Sequence, residues 1–142
     1  MSLAQPSGAR GLAGGCLCGA IRYEARGAPF DRTACHCSIC RRSAGAPMVA
    51  WFTVNAADFA FTAGQPSVYR SSASGQRTHC PACGTQLTFK LDDSPEIDVT
   101  VCSLDDPAAV APHDHTYVSS QLDWVHLDDG LPRYDQARPQ PR

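Results

Sequence analysis

Short runs of alternating or clustered apolar residues recur along this chain, and they predict β-strands rather than helices. Residues 20–26 alternate apolar and polar side chains, and residues 49–54 combine β-branched and aromatic side chains as a buried strand does. Further strands are predicted at 59–62, 68–72, 76–79, 86–91, 97–103 and 116–120. Glycine and proline separate these runs and break any longer pattern. The sequence therefore predicts a mainly β fold.

Helical periodicity is confined to short segments. One helical turn is predicted at 38–43, and no longer helix is expected. Residues 1–14 show no strand pattern, and the Pro-rich end of the chain is polar. With no internal repeat or change in composition, we expect a flexible lead-in at 1–10, one domain at 11–135 and a flexible tail at 136–142.

Composition narrows the classes of function. The chain has 142 residues, a net charge of −2 and 12 basic residues, of which Lys90 is the one lysine. These residues form no basic stripe, so nucleic acid is not an expected partner. No run approaches the roughly 20 apolar residues of a membrane helix, and the start of the sequence lacks the pattern of a secretion signal. A cytoplasmic location without membrane contact is therefore expected.

Cysteine is the most informative residue type in this sequence. Eight cysteines occur, seven of them in three tight clusters, while Cys102 stands alone. Cysteines one residue apart in an extended segment point to opposite faces, so a disulfide between Cys16 and Cys18 would be strained. In a reducing compartment, clustered cysteines are more often metal ligands than disulfides. Zinc sites are therefore predicted, with disulfides as the alternative.

The third cluster, Cys80-Pro81-Ala82-Cys83-Gly84, has the form of a zinc knuckle. Proline sets φ at the start of the turn, and the glycine after the second cysteine permits a positive φ. The first cluster, Cys16-Leu17-Cys18, also ends in glycine and offers two more sulfurs. Joining the two clusters predicts a closed, structural zinc site with four sulfurs, although other pairings of the clusters stay open.

The middle cluster supplies three sulfurs of its own, from Cys35, Cys37 and Cys40. Three protein ligands and one open position are typical of a catalytic zinc ion, which would be held less tightly than the structural one. The alternative is that Cys102 or a histidine closes this site. An open catalytic site is the favoured interpretation.

Four residues outside these ligand sets are candidates for supporting roles. Arg41 and Arg42 directly follow the middle cluster and are predicted to bind substrate carboxylates, with a solvated surface pair as the alternative. His36 lies between two ligands and could move protons, but a side chain that points away from the metal is favoured. Cys102 follows an apolar run and is predicted to be a buried free thiol.

The three cysteine motifs occur in an order that resembles the family of glutathione-dependent formaldehyde-activating enzymes, which also includes centromere protein V. The opening motif spans residues 14–19 with Tyr23, the central motif spans 35–42 with Gly45, and the third spans 80–84. Weaker matches follow at 104–107 and around His115 and Trp124. The resemblance covers about residues 11–135.

This resemblance implies several small coiled β-sheets around zinc, and two zinc sites. Carried over, Cys16, Cys18, Cys80 and Cys83 hold the structural zinc ion, and Cys35, Cys37 and Cys40 hold the catalytic one. The implied activity is that of a carbon–sulfur lyase, whose partners are a glutathione-like thiol and an aldehyde such as formaldehyde. The alternative is a non-catalytic zinc module that binds a protein or a small thiol.

Overall fold

The computed structural model describes residues 11–139, which contain ten β-strands and one α-helix. The strands are β1 Leu12–Gly15, β2 Arg22–Ala25, β3 Phe30–Cys35, β4 Val49–Asn55, β5 Phe59–Ala63, β6 Ser67–Arg70, β7 Gly75–His79, β8 Gln86–Leu91, β9 Glu96–Thr100 and β10 Asp114–Thr116. The helix α1 spans Ser38–Ala44. Short 3-10 turns lie at Ala56–Asp58, Val101–Ser103, Pro107–Ala109 and Val118–Ser120.

The strands form two sheets. One has three antiparallel strands in the order β1-β2-β5, and the other has seven in the order β10-β3-β4-β9-β8-β7-β6. Only β10 and β3 run parallel among the pairs of described strands. The prediction of a mainly β fold is confirmed. Within residues 11–139, no helix has the length and apolar character needed to cross a membrane.

The hydrophobic core gathers side chains from both sheets. Tyr23 of β2, Phe52 of β4 and Val99 of β9 are each fully buried there. Because successive side chains of a strand point to opposite faces, Trp51 and Thr53 of β4 lie on the other face of the large sheet. The large sheet therefore buries one face in the core and lines a pocket with the other.

Two strands escaped the sequence pattern. Strand β1 contains two glycines, which have low β-propensity, and a Cβ at Gly14 would collide with the hydroxyl of Tyr23 and the carbonyl of Ser103. Strand β3 begins with a polar run and a register shift after Phe30, and Asp31 there has a φ of 49°. The expected loose pattern over 1–14 is therefore wrong for Leu12, Ala13 and Gly14, which belong to β1.

The segment predicted as one strand at 116–120 divides in two. Strand β10 ends at Thr116, Tyr117 takes a left-handed conformation with φ 56°, and a 3-10 turn follows. The predicted helical turn at 38–43 is confirmed and extends to Ala44 as α1. The left-handed φ and ψ of Tyr117 turn the chain out of the extended region directly after Thr116, where β10 ends.

The end of the described chain packs against β10. The guanidinium of Arg138 donates two hydrogen bonds to the carboxylate of Asp114, at 2.6 and 2.8 Å, and also pairs with Asp31 at 3.1 Å. Asp114 is fully buried, and the side chain of Arg138 is 9% exposed. Arg138 belongs to the segment 136–142, for which a flexible tail is predicted. The lead-in predicted at 1–10 lies outside the described residues.

Candidate functional site

Cys16, Cys18, Cys80 and Cys83 come together in space and form what we call the four-cysteine cluster. The Sγ of Cys18 lies 3.7 Å from that of Cys16 and 3.8 Å from that of Cys80. Four sulfurs at about 2.3 Å from one tetrahedral zinc ion would lie about 3.8 Å apart, whereas a disulfide requires about 2.05 Å. The spacing fits a metal ion and leaves no disulfide among the eight cysteines, all of which are described.

Two tight turns shape the four-cysteine cluster. In the second turn, Gly84 donates to the carbonyl of Cys80 at 2.9 Å and has a φ of 83°, a conformation that glycine adopts without strain. The amides of Ala82 and Cys83 point at the Sγ of Cys80, at 3.3 and 3.4 Å, and the amide of Ile21 points at that of Cys16 at 3.2 Å. These donors stabilise negative charge on the sulfurs.

Cys35, Cys37 and Cys40 form a second group, the three-cysteine cluster. Cys35 is the last residue of β3, and Cys37 is the N-cap of α1, where its Sγ accepts a hydrogen bond from the amide of Cys40 at 3.3 Å. The strand end and the first helical turn thus bring three sulfurs within 4.8 Å of one another. Among the described residues, no His, Cys, Asp or Glu joins them as a fourth donor.

The thiols of the three-cysteine cluster compete for one negative charge. Hydrogen bonds from Cys35 and Cys40 lower the pKa of Cys37 to about 2. Donation to Cys37 and burial raise the pKa of Cys35 far above its ordinary value. A bound divalent cation relieves this competition, because a coordinated thiol is deprotonated outright. The donor sets of both cysteine clusters therefore fit soft metal ions such as zinc.

A pocket of about 450 Å³ opens beside the three-cysteine cluster, and we call it the main pocket. Its size falls in the range of about 300–1,000 Å³ that is typical of small-molecule sites. Besides the three cysteines, its lining includes Asp31, Thr33, Trp51, Thr53, Arg77, Phe89, Glu96, Asp98, Thr116, Tyr117 and Arg138. The three sulfurs therefore face space that a ligand could occupy.

Arg77 of β7 brings a positive charge to the main pocket. Its side chain lies over the rings of Phe89 and Trp51, at 4.8 and 5.8 Å from their centroids, and Nη2 lies 4.0 Å from the Sγ of Cys40. Nη1 donates to Gln86 at 3.1 Å. Arg77 is 8% exposed, so its charge acts on the sulfurs with little screening by water.

Asp98 of β9 lies on the same pocket wall and is held by Thr53, whose hydroxyl donates to Oδ1 at 2.6 Å. Burial, with a smaller effect from the charges of Glu96 and Asp31, raises the pKa of Asp98 to about 6. The folded state therefore binds the Asp98 proton more tightly than the unfolded chain does. This preference gives Asp98 a measurable effect on stability.

We expect Asp98→Asn to stabilise the protein at neutral pH. The ordinary pKa of 3.8 rises to about 6 in the fold, so the wild type loses stability relative to the variant as pH rises from about 4 to about 6. The difference in the free energy of unfolding should reach about 1–3 kcal/mol and stay level at higher pH. Urea unfolding of both proteins at several pH values measures it, and a difference that does not change with pH contradicts the prediction.

Asp92→Asn is the matched control for that experiment. The carboxylate of Asp92 is exposed and accepts two hydrogen bonds from Arg70, both at 2.9 Å, which lower its pKa. A lowered pKa acts in the opposite direction, so this variant should show no gain in stability at neutral pH.

His36 points away from the main pocket, as the sequence favours. It is fully buried, and its Nε2 lies 3.0 Å from Nδ1 of His115, whose Nε2 lies 2.7 Å from Asp129. Burial and the nearby His115 lower the pKa of His36 to about 4. This chain of contacts ties the loop of the three-cysteine cluster to β10 and to the segment that follows it.

The structure does not bring Arg41 and Arg42 into the main pocket. Both lie in the last turn of α1 and line a separate groove with Trp124, about 310 Å³ in volume. Cys102 is exposed, so the prediction that it is buried is wrong. Strand β9 ends at Thr100 and a 3-10 turn follows, and this turn carries the Cys102 thiol to the surface.

Among the main-pocket residues for which the sequence predicts no role are Arg77, Asp98, Tyr117 and Arg138. Each is far in sequence from the three-cysteine cluster and reaches it only through strand pairing and chain packing. In β9, Asp98 alternates with Ile97 and Val99 and so lies on the polar face of that strand, whereas β7 (GQRTH) has no apolar face that would mark Arg77. Tyr117 and Arg138 carry no such signal.

Comparisons with known proteins agree with the arrangement of the cysteines. A family model described as glutathione-dependent formaldehyde-activating enzyme matches residues 11–120. A Halomonas elongata protein, named as a candidate glutathione-dependent formaldehyde-activating enzyme, is 30% identical over 129 residues, which cover 82% of this chain and 81% of that protein. The crystal structure of a Rhodobacter sphaeroides protein, 22% identical, aligns with a TM-score of 0.56 over 87% of this chain and 99% of its own. This last similarity shows the fold.

Proposed function

The chain belongs to the family of glutathione-dependent formaldehyde-activating enzymes, and from this premise we propose that it is a zinc-dependent carbon–sulfur lyase. Its substrate is the adduct of a thiol and an aldehyde, of which S-hydroxymethylglutathione, from glutathione and formaldehyde, is the type. In the forming direction, the thiol sulfur bonds to the aldehyde carbon, and one proton moves from sulfur to oxygen overall. The observation that carries the proposal is that three clustered cysteine sulfurs line the main pocket.

The two cysteine clusters have different roles in this proposal. Cys16, Cys18, Cys80 and Cys83 hold a structural zinc ion, since four sulfurs complete a tetrahedron. Cys35, Cys37 and Cys40 hold the second zinc ion and leave one position for substrate. A zinc ion held there lowers the pKa of a substrate thiol and keeps it as the reactive thiolate.

Arg77 supplies positive charge beside the three-cysteine cluster, a role distinct from the binding of substrate carboxylates predicted for Arg41 and Arg42. Three cysteine thiolates and a substrate thiolate together carry more negative charge than one divalent cation neutralises. The buried guanidinium of Arg77, 4.0 Å from the Sγ of Cys40, offsets this excess and favours binding of the fourth sulfur. The rings of Trp51 and Phe89, which also line the main pocket, contact the guanidinium and hold it in place.

The reaction itself is the direct test. Glutathione and ¹³C-labelled formaldehyde interconvert slowly with their adduct in water, so exchange NMR measures the rate with and without zinc-loaded protein. The proposal predicts faster exchange in proportion to protein concentration, and faster exchange with glutathione than with small thiols. Thiol binding without faster exchange for any thiol would instead support the non-catalytic zinc module.

We expect Arg77→Gln to reduce kcat/KM for the thiol by about 10- to 100-fold, because a charged partner of the bound thiolate is lost. Glutamine retains a polar group near Gln86 but carries no charge. The exchange assay at subsaturating thiol measures the effect. A folded Arg77→Gln protein with the kcat/KM of the wild type would refute this role for Arg77.

Arg70→Gln is the matched control, since it removes an arginine from the neighbouring strand β6. Arg70 pairs with Asp92 at the surface, at 2.9 Å, and its side chain is 49% exposed. It is not among the residues that line the main pocket. This variant should keep the wild-type kcat/KM, so that a general loss of positive charge is separated from the local effect of Arg77.

A further inference from the structure

Tyr117 holds an unfavourable backbone conformation at the edge of the main pocket. Asp31 and Tyr117 are the two non-glycine residues with positive φ within residues 11–139, and both line this pocket. For a bulky residue, the left-handed region is unfavourable, and such strain concentrates at functional sites. Three backbone hydrogen bonds sustain it in Tyr117: its amide donates to Gln136 at 3.1 Å, its carbonyl accepts from Ser120 at 3.0 Å, and the next amide donates to Tyr134 at 3.0 Å.

This conformation sets the Tyr117 ring against the three-cysteine cluster. The ring packs on the group of buried side chains that contains Cys35, Cys40 and Trp51. A phenol has an ordinary pKa of about 10. The hydroxyl therefore stays protonated at neutral pH and remains a hydrogen-bond donor.

The hydroxyl of Tyr117 differs from the other hydroxyls of the main pocket. Thr33 and Thr116 bond to each other at 3.0 Å, and Thr53 bonds to Asp98 at 2.6 Å. In the core, the hydroxyl of Tyr23 is likewise engaged, with Ser103 at 2.7 Å. Tyr117 lines the main pocket, and no hydrogen bond between described residues involves its hydroxyl, which leaves this O–H donor for a ligand.

We propose that Tyr117 is a catalytic residue whose hydroxyl donates a hydrogen bond to the aldehyde oxygen of the substrate. The inference rests on the proposed function and names a residue for it. When the thiolate sulfur forms the bond to the aldehyde carbon, the electron pair of the C=O double bond moves to the oxygen, where negative charge develops. A donor at that oxygen lowers the barrier. The proton released when the thiol ionises reaches this oxygen through solvent, and Tyr117 remains a phenol throughout.

The reverse reaction uses the same contact. The adduct hydroxyl loses its proton to solvent, the C=O double bond re-forms as the carbon–sulfur bond breaks, and the electron pair of that bond leaves with the sulfur. Tyr117 stabilises the same charged oxygen in this direction. Because the Tyr117 hydroxyl acts only where charge develops, loss of this hydroxyl should lower kcat more than it weakens thiol binding.

Tyr117→Phe tests the inference in the full-length, zinc-loaded chain. Phenylalanine keeps the ring against the cysteines and removes only the hydroxyl. We expect kcat for exchange between glutathione and formaldehyde to fall by about 100-fold, in the range found for loss of one donor to a developing oxyanion. The KM for glutathione should change less than about twofold, since the thiol contacts remain. Tyr69→Phe, on the exposed edge strand β6, is the control and should match the wild type.

A spectroscopic readout separates a catalytic role from a structural one. With cobalt(II) in place of zinc, addition of glutathione alone should change the absorption spectrum equally in the wild type and in Tyr117→Phe. Tyr117→His, which restores an N–H donor on an aromatic ring, should recover at least about tenfold of the lost kcat. Loss of the thiol-induced spectrum in Tyr117→Phe, or a histidine variant no faster than it, would overturn the inference.

The remaining outcomes are also decisive. If the wild type catalyses exchange and Tyr117→Phe does so within about twofold of its rate, the inference fails and the proposed function stands. If the wild type gives no exchange with any thiol, the proposed function fails and the inference fails with it.

Discussion

Cys80→Ser should remove one zinc ion per chain and abolish the native fold at physiological temperature. Cys80 is 1% exposed, and its sulfur accepts hydrogen bonds from the amides of Ala82 and Cys83. The four-cysteine cluster joins the turn after β1 to the turn between β7 and β8, so a metal ion there connects the small sheet to the large one. Serine has nearly the same shape but is a poor zinc ligand, so the variant isolates the metal bond from the packing.

The size of this effect follows from metal-coupled folding. Zinc binding contributes about 10–16 kcal/mol to the folding free energy of small structural zinc domains. The whole stability of a typical domain is about 5–15 kcal/mol, so loss of the metal removes an amount of similar or greater size. Even a partial loss should lower Tm by more than about 15 °C in a domain of this size. Elemental analysis for zinc and thermal unfolding followed by circular dichroism measure the two parts of the prediction.

Cys102→Ser is the matched control for Cys80→Ser. It makes the same chemical change at an exposed cysteine outside both clusters. Zinc content and Tm should therefore equal those of the wild type. If Cys80→Ser kept two zinc ions and a Tm within about 2 °C of the wild type, the assignment of a structural zinc ion to the four-cysteine cluster would be wrong.

Cys37→Ser should reduce catalysis to the uncatalysed rate while the fold survives. Cys37 is the N-cap of α1, and its sulfur accepts from the amide of Cys40 at 3.3 Å. Serine is among the best N-cap residues, so the helix keeps its cap, whereas alanine would lose it at a cost of about 1 kcal/mol. The change therefore removes a metal ligand at the three-cysteine cluster with little effect on Tm.

Three measurements check the Cys37→Ser prediction. The exchange assay should show no acceleration, zinc should fall by about one ion per chain, and the cobalt(II) protein should no longer change its spectrum when glutathione is added. The Cys37→Ala variant should behave alike in all three, with a slightly lower Tm. A Cys37→Ser protein that retains thiol-dependent spectra would contradict the proposed catalytic centre.

The cysteine motifs could be predicted because the turn that holds each of them is local, whereas spacing alone left open which motifs pair in space. In Cys80-Pro81-Ala82-Cys83-Gly84, the turn brings the sulfurs together within five residues, and the amides that point at Cys80 belong to the same turn. The resemblance of the three motifs to the family was confirmed by the family model and by the Halomonas elongata relative. Local chemistry of this kind is visible in sequence because it needs no knowledge of the rest of the fold.

The strands were predictable where apolar residues dominate. Residues 49–54 form most of β4, whose residues from Trp51 to Val54 are all buried. Strand β1 could not be found, because its glycines fit the close approach of neighbouring groups, Tyr23 and Ser103 at Gly14 and Ile21 and Arg22 at Gly15, and have low strand propensity. Strand β3 begins at a bulge next to Asp31, where the pattern of alternation is lost.

The pocket residues could not be predicted, since they meet only in the folded chain. Strand β7 joins the large sheet through β8, which pairs with β9. This pairing places Arg77 of β7 within 4.0 Å of the Sγ of Cys40 in α1. Arg41 and Arg42 are adjacent to the ligands in sequence, but the helix turns them to another surface. Closeness in sequence to a metal ligand is therefore a weak guide to which charge faces the substrate.

In the proposed catalytic centre, the three-cysteine cluster holds a zinc ion with one position open to a substrate thiol. X-ray absorption at the zinc edge, on protein loaded with two zinc ions, tests it most directly because it counts the sulfurs around the metal. The seven clustered cysteines should supply all the sulfur ligands of the free protein. Saturating glutathione should add one more. A sulfur count unchanged by glutathione, with both zinc ions still bound, would contradict it.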